Sequence, residues 1–147
     1  MMKYIDLVRL YHKLESTSKR LDKTYHISKM IDKASSDDVA ALILLLEGKV
    51  FPDHDQREIG VAAKTVVKSL MLATGTDLQK IESLWKETGD LGEVARRLIP
   101  KKEQQTLMSI EITVQKVIDN IKRLATMEGA GSVDYKVKII AELLTSA

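Results

Sequence analysis

No cysteine occurs among the 147 residues, which excludes disulfides and thiolate metal sites. Proline (two) and glycine (seven) are scarce, and the β-branched alternation of strands is scarce with them, so helix is expected nearly throughout. The longest apolar run, Val39–Leu46, is too short to cross a bilayer. No apolar signal-peptide core follows Met1, which points to a cytoplasmic compartment with no membrane partner. What is present is ordinary for a globular domain: 44% apolar and 30% charged residues, in a chain long enough to bury one real core.

The net charge of +2 hides an uneven distribution. Residues 1–35 carry eight Lys/Arg against four Asp/Glu, whereas residues 36–60 carry two against six. The N-terminal excess could face a polyanion, or simply be a solvated face.

Periodicity and stop signals divide the chain into about eight helices. Tyr4, Leu7, Val8, Tyr11 and Leu14 form one apolar stripe, and a second helix runs to about Lys33. Ser35 or Ser36 caps a third, whose Val39–Leu46 is apolar on every side. The expected architecture is therefore an all-α, compact multi-helix domain with helix 39–46 buried at its centre. A fourth helix, from about Val61 to Thr74, would bury Ala63, Val66, Val67, Leu70 and Met71. In a fifth, Leu78, Ile81, Leu84 and Trp85 would point inward, and a sixth is stopped by Pro100. A polar connector leads to Thr113, which caps a seventh helix. The eighth places Val133, Val137, Ile140 and Leu144 on one face and reaches Ala147 without a stop signal, which suggests a domain that continues.

Between the last two helices lies Gly129-Ala130-Gly131-Ser132. Two glycines permit positive φ, and Ser132 can cap the following helix. The first amides of that helix, Val133 to Tyr135, form a ready anion site, toward which Lys136 can carry its ammonium. From these residues alone the stretch reads either as a capped helix start or as a phosphate site.

Catalytic constellations are not found. His12, His26 and His54 lie on different elements with no nucleophile elbow nearby. Asp53-His54-Asp55 reads as a solvated turn, because three adjacent residues rarely converge on one ion. Gly48-Lys49 lacks the remaining residues of a phosphate loop. A noncatalytic binding or scaffolding module with no metal of its own fits these residues best.

Six strings, in order, carry a resemblance: Lys13–Leu21, Gly48–Asp53, Glu58–Val61, Ala73–Gly75, Gly89–Ala95 and Gly131–Ile140. Together they resemble the N-terminal DNA-binding domain of ATP-dependent DNA ligases, especially the archaeal type, over essentially the whole of 1–147. The resemblance implies an all-helical domain that grips nicked duplex DNA through its sugar-phosphate backbone, in a cytoplasmic, nucleoid-associated protein serving replication, repair and recombination. It also implies ATP and Mg²⁺ as cofactors of a parent ligase, whose adenylation and oligonucleotide-binding domains are expected to lie outside this chain. The family's nucleotidyl-lysine motif, Lys-x-Asp-Gly, does not occur here. Carried over to this sequence, Gly129, Gly131, Ser132, Lys136 and Lys138 become the expected DNA-binding residues. Tyr135 departs from the family's common second lysine. The connector string Gln104-Gln-Thr-Leu-Met108 resembles a sliding-clamp-binding sequence, with Leu107 and Met108 in place of aromatics. The competing reading is a helical protein-interaction scaffold that binds no DNA.

Overall fold

The amides at the start of a helix lack intrahelical partners, and three short polar side chains supply them here. Ser35 Oγ accepts from the Asp38 amide, Asp77 from the Lys80 amide, and Asp90 from the Gly92 amide. The computed structural model describes residues 1–99 and 111–146. Among them are eight helices: α1 (Tyr4–Glu15), α2 (Arg20–Lys33), α3 (Ser36–Leu46), α4 (Ala63–Thr74), α5 (Leu78–Thr88), α6 (Leu91–Leu98), α7 (Val114–Ala125) and α8 (Ser132–Ser146). The expected all-α class is the observed one. Extended pairing among the described residues is confined to one isolated antiparallel bridge, between Lys3 and Thr113.

The chain forms two compact units, Met1–Arg57 with Glu111–Lys122, and Glu58–Ile110 with Arg123–Ala147. In the first unit, the Tyr4 amide donates to Ile112 O (2.8 Å) and the Val114 amide to Met2 O (2.9 Å), which ties the N-terminus to the start of α7. Thr113 Oγ1 accepts from the Lys116 amide (3.0 Å) and caps α7 as expected. The buried apolar residues of this unit come from several elements: Leu7 and Leu10 on α1, Ala41 and Leu42 on α3, Val50 and Phe51 after it, and Val114, Val117 and Ile118 on α7.

α3 is not the enclosed hub expected for residues 39–46. Only Asp38, Ala41 and Leu42 on it are buried, while Ile43 is 44% exposed and Ala40 is exposed. A helix that is apolar all round has the capacity to be surrounded, but the number of neighbours is set by the fold. Here one face, spaced i, i+3, i+4, is covered.

The hub of the second unit is α4, which meets α5, α6 and, most extensively, α8. Val67, Leu70, Ile81 and Val94 form its buried cluster, with Leu84, Trp85, Leu91, Leu98 and Leu144 packed around them. Thr65 and Ser69, one turn apart on α4, are also buried, and the Ser69 hydroxyl donates to Thr65 O (2.7 Å). This bond removes the cost of an unsatisfied hydroxyl. Three apolar assignments near helix starts change. Ala63, Leu78 and Val133, all in the first turns of their helices, are exposed. On α8 the buried residues are Val137, Ile139 and Ala141, while Ile140 and Leu144 are half-buried, so its covered arc is wider than one stripe.

Candidate functional site

The turn between α7 and α8 is built by local backbone bonds. The Met127 amide donates to Leu124 O (3.4 Å) and the Thr126 hydroxyl to Arg123 O (2.8 Å), which closes the end of α7. Gly129 and Gly131 then take φ of 93° and 82°, in the left-handed region where a side chain is strained. A Cβ at either position would meet nothing within 4 Å, so the glycines serve the backbone angle and the space above them is open.

The Ser132 amide donates to Gly129 O (3.2 Å) and the Tyr135 amide to Gly131 O (3.4 Å). The carbonyl that starts α8 is thus that of Gly131, and Ser132 is the first helical residue instead of the cap expected of it. The Tyr135 amide is engaged, which leaves Val133 and Asp134 as the amides of the expected trio at the open end of the helix. Asp134 adds a negative charge in the first turn, favourable to the helix dipole and unfavourable to a bound anion.

Lys136 does not fold back on those amides. Its Nζ donates to Gly60 O (3.0 Å), across from the loop that precedes α4. Gly60 has φ of 64°, and a Cβ there would lie 3.5 Å from the Lys136 ammonium. The amides at the positive end of its own helix are donors and offer an ammonium no acceptor, whereas the Gly60 carbonyl does. Gly60 falls within the string 58–61, but nothing in the sequence gives it this role. Lys138 is exposed and lies roughly 200° around α8 from Lys136, so the two ammoniums do not converge. The structure therefore brings Gly129, Gly131 and Ser132 together with Lys136 one turn on, and sets Lys138 apart. Gln104, Leu107 and Met108 lie outside the described residues.

The acidic triplet near α3 is accounted for by ion pairs. Asp53 pairs with Lys49, and Asp55 accepts from both the Arg57 side chain and its amide. These bonds lower the Asp55 pKa to about 2, the Arg57 side chain contributing most. Arg57 also stacks over Phe51, 4.4 Å from its ring centre. Among the described residues no group of three or more His, Cys, Asp or Glu could hold a metal ion. No described helix is long and apolar enough to cross a membrane.

An all-helical chain with this order of helices and this glycine turn matches one family model, that of the DNA ligase N terminus, over residues 3–147. The chain belongs to that family. It is 37% identical over 146 residues to a DNA ligase of Thermococcus fumicolans, covering 99% of this chain and 26% of that protein. Against a DNA ligase of Nitrosopumilus maritimus (strain SCM1) it is 34% identical over 146 residues, 99% of this chain and 25% of the relative. A DNA ligase of Methanocella arvoryzae is 36% identical over 147 residues, with 99% and 26% covered. The chain thus spans about a quarter of the length of the relatives it matches.

Proposed function

We propose that this chain is the noncatalytic duplex-DNA-binding part of an ATP-dependent DNA ligase that seals nicks in replication, repair and recombination. The observation that carries the reading is the start of α8. Positive φ at Gly129 and Gly131 presents a helix N-terminus to open space, and Lys136 and Lys138 stand on the same helix. Helix N-termini attract phosphates through free amides and the helix dipole, and glycines let a sugar-phosphate strand come close. The Lys136 ammonium, held by one carbonyl, retains donors for a phosphate oxygen. Contacts of this kind hold the backbone and carry no base code, so binding would show little sequence preference. ATP and Mg²⁺ would act in the adenylation and oligonucleotide-binding domains of the parent protein. A sliding-clamp contact through Gln104, Leu107 and Met108 belongs to the same proposal.

Salt separates this reading from a protein-interaction scaffold. Binding of a labelled duplex through phosphates must weaken linearly, log against log, as salt rises, with a slope near −0.9 per phosphate contact. A chain that fails to bind duplex DNA at low salt, or binds it with no salt dependence, would leave the scaffold as the better account.

A further inference from the structure

The N-terminal unit carries a cavity of about 750 Å³ between α1 and α2 that the α8 turn does not involve. Five Lys or Arg side chains line it against two Asp. Both carboxylates are already engaged. Asp38 accepts from the Met2 amide (3.0 Å) and the Ser35 hydroxyl (2.8 Å), and Asp6 pairs with Arg9 (3.3 Å). Lys13, Lys29 and Lys33 are exposed and have no carboxylate within 4.0 Å among the described residues.

The placement of these cations is regular. Arg9 and Lys13 are one turn apart on α1, and Lys29 and Lys33 are one turn apart on α2. Like charges at that spacing repel and weaken an isolated helix. α2 has no buried residue to offset the repulsion, and its Leu21 and Tyr25 are 83% and 57% exposed. Each pair spans ~6 Å along its helix axis, on the scale of the separation between neighbouring phosphates in a strand. Tyr25 adds an accessible ring at the edge of the cleft, with the Lys29 ammonium 5.5 Å from its centre. Cations along two walls with an aromatic edge suit an extended phosphodiester chain better than a single small anion.

We infer that the α1–α2 cleft is a second phosphate-backbone groove, in which Arg9, Lys13, Lys29 and Lys33 hold a DNA strand. The inference rests on the DNA-binding reading above but uses none of the α8 residues. It is tested with the whole chain and a short fluorescein-labelled duplex, by anisotropy across a range of salt concentrations. Lys13→Glu/Lys29→Glu/Lys33→Glu should bind more weakly and lose about 0.9 of salt slope for each lysine that meets a phosphate, while Lys80→Glu on α5 should not. The corresponding triple Gln variant removes charge without reversing it and should show the same loss of slope in a chain whose far-UV circular dichroism is unchanged.

Lys136→Glu, measured in parallel, separates the two readings. If the triple variants lose slope and Lys136→Glu does not, the groove stands and the α8 turn is only a helix start. The opposite pattern overturns the groove and leaves the turn intact. No duplex binding by the unaltered chain overturns both. Displacement of the duplex by poly-glutamate as effectively as by unlabelled DNA would reassign the cleft to an acidic protein segment. Equal displacement by tripolyphosphate at matched phosphate concentration would reassign it to a small anion.

Discussion

Replacing Gly131 by Ala isolates the energetic role of the turn. The residue sits at φ 82°, and a Cβ there has nothing within 4 Å to strike, so the cost is conformational alone. Holding an L-residue in the left-handed region costs roughly 1–2 kcal/mol. Alanine also restricts the unfolded chain relative to glycine, which offsets ~0.4–1 kcal/mol of that. The net destabilisation is therefore about 1 kcal/mol or slightly less. Asn, which tolerates the left-handed region, should cost less than Ala, and Val, branched at Cβ, should cost more. Urea unfolding followed by far-UV circular dichroism would read this as a lower midpoint at unchanged slope. Equal midpoints for the unaltered chain and Gly131→Ala would mean that the turn relaxes to negative φ without penalty. A loss of several kcal/mol for Gly131→Ala would mean that the space above the turn is not open. Either result refutes the reasoning.

Leu70→Ala, at a fully buried position in the α4 hub, should destabilise the chain by ~2–5 kcal/mol, whereas Leu72→Ala on the exposed side of the same helix should stay within ~0.5 kcal/mol in the same urea assay. Asp55 titrates in the folded chain at about 2, below its ordinary 3.8, so its contribution to stability is present above the ordinary value and is lost as pH falls through about 2. A carbon-detected NMR titration should place its midpoint near 2, and Arg57→Gln should return it toward the ordinary carboxylate range. Replacing Gln104, Leu107 and Met108 together by Ala should leave folding intact and weaken binding to the cognate clamp in a pull-down; equal clamp binding would return this string to a plain linker.

Helix positions were legible because their signals are local. Ser35, Asp77 and Thr113 each occupy the residue before a helix and accept from the amide three residues on, which the order of residue types announces. Burial was legible in part. The stripe Val67-Leu70 on α4 is at the centre of its unit, but nothing in its hydropathy marked α4 over the more apolar α3 as a hub. Which helix becomes central depends on the neighbours that long-range topology supplies. Buried Thr65 and Ser69 were not expected, since a hydroxyl bonded to the carbonyl one turn back looks, in sequence, like any exposed polar residue.

At the candidate site the glycine angles were legible, because two glycines flanking one residue before a helix have few other uses. The course of Lys136 was not. Its acceptor, Gly60, is 76 residues away in sequence, and no periodicity connects them. The α1–α2 cleft was visible only as an excess of positive charge in residues 1–35; its two walls needed the fold.

The central claim, that the start of α8 meets DNA phosphates, is tested most directly by one comparison. Lys136→Glu and Lys80→Glu change the formal charge equally, the first at the turn and the second on the exposed side of α5. Both are titrated with the same duplex across salt. The account predicts that Lys136→Glu weakens binding and flattens the log–log slope by about 0.9 or more, while Lys80→Glu follows the unaltered chain. Identical slopes for the two variants would contradict it and leave Gly129 to Lys136 as an ordinary helix start.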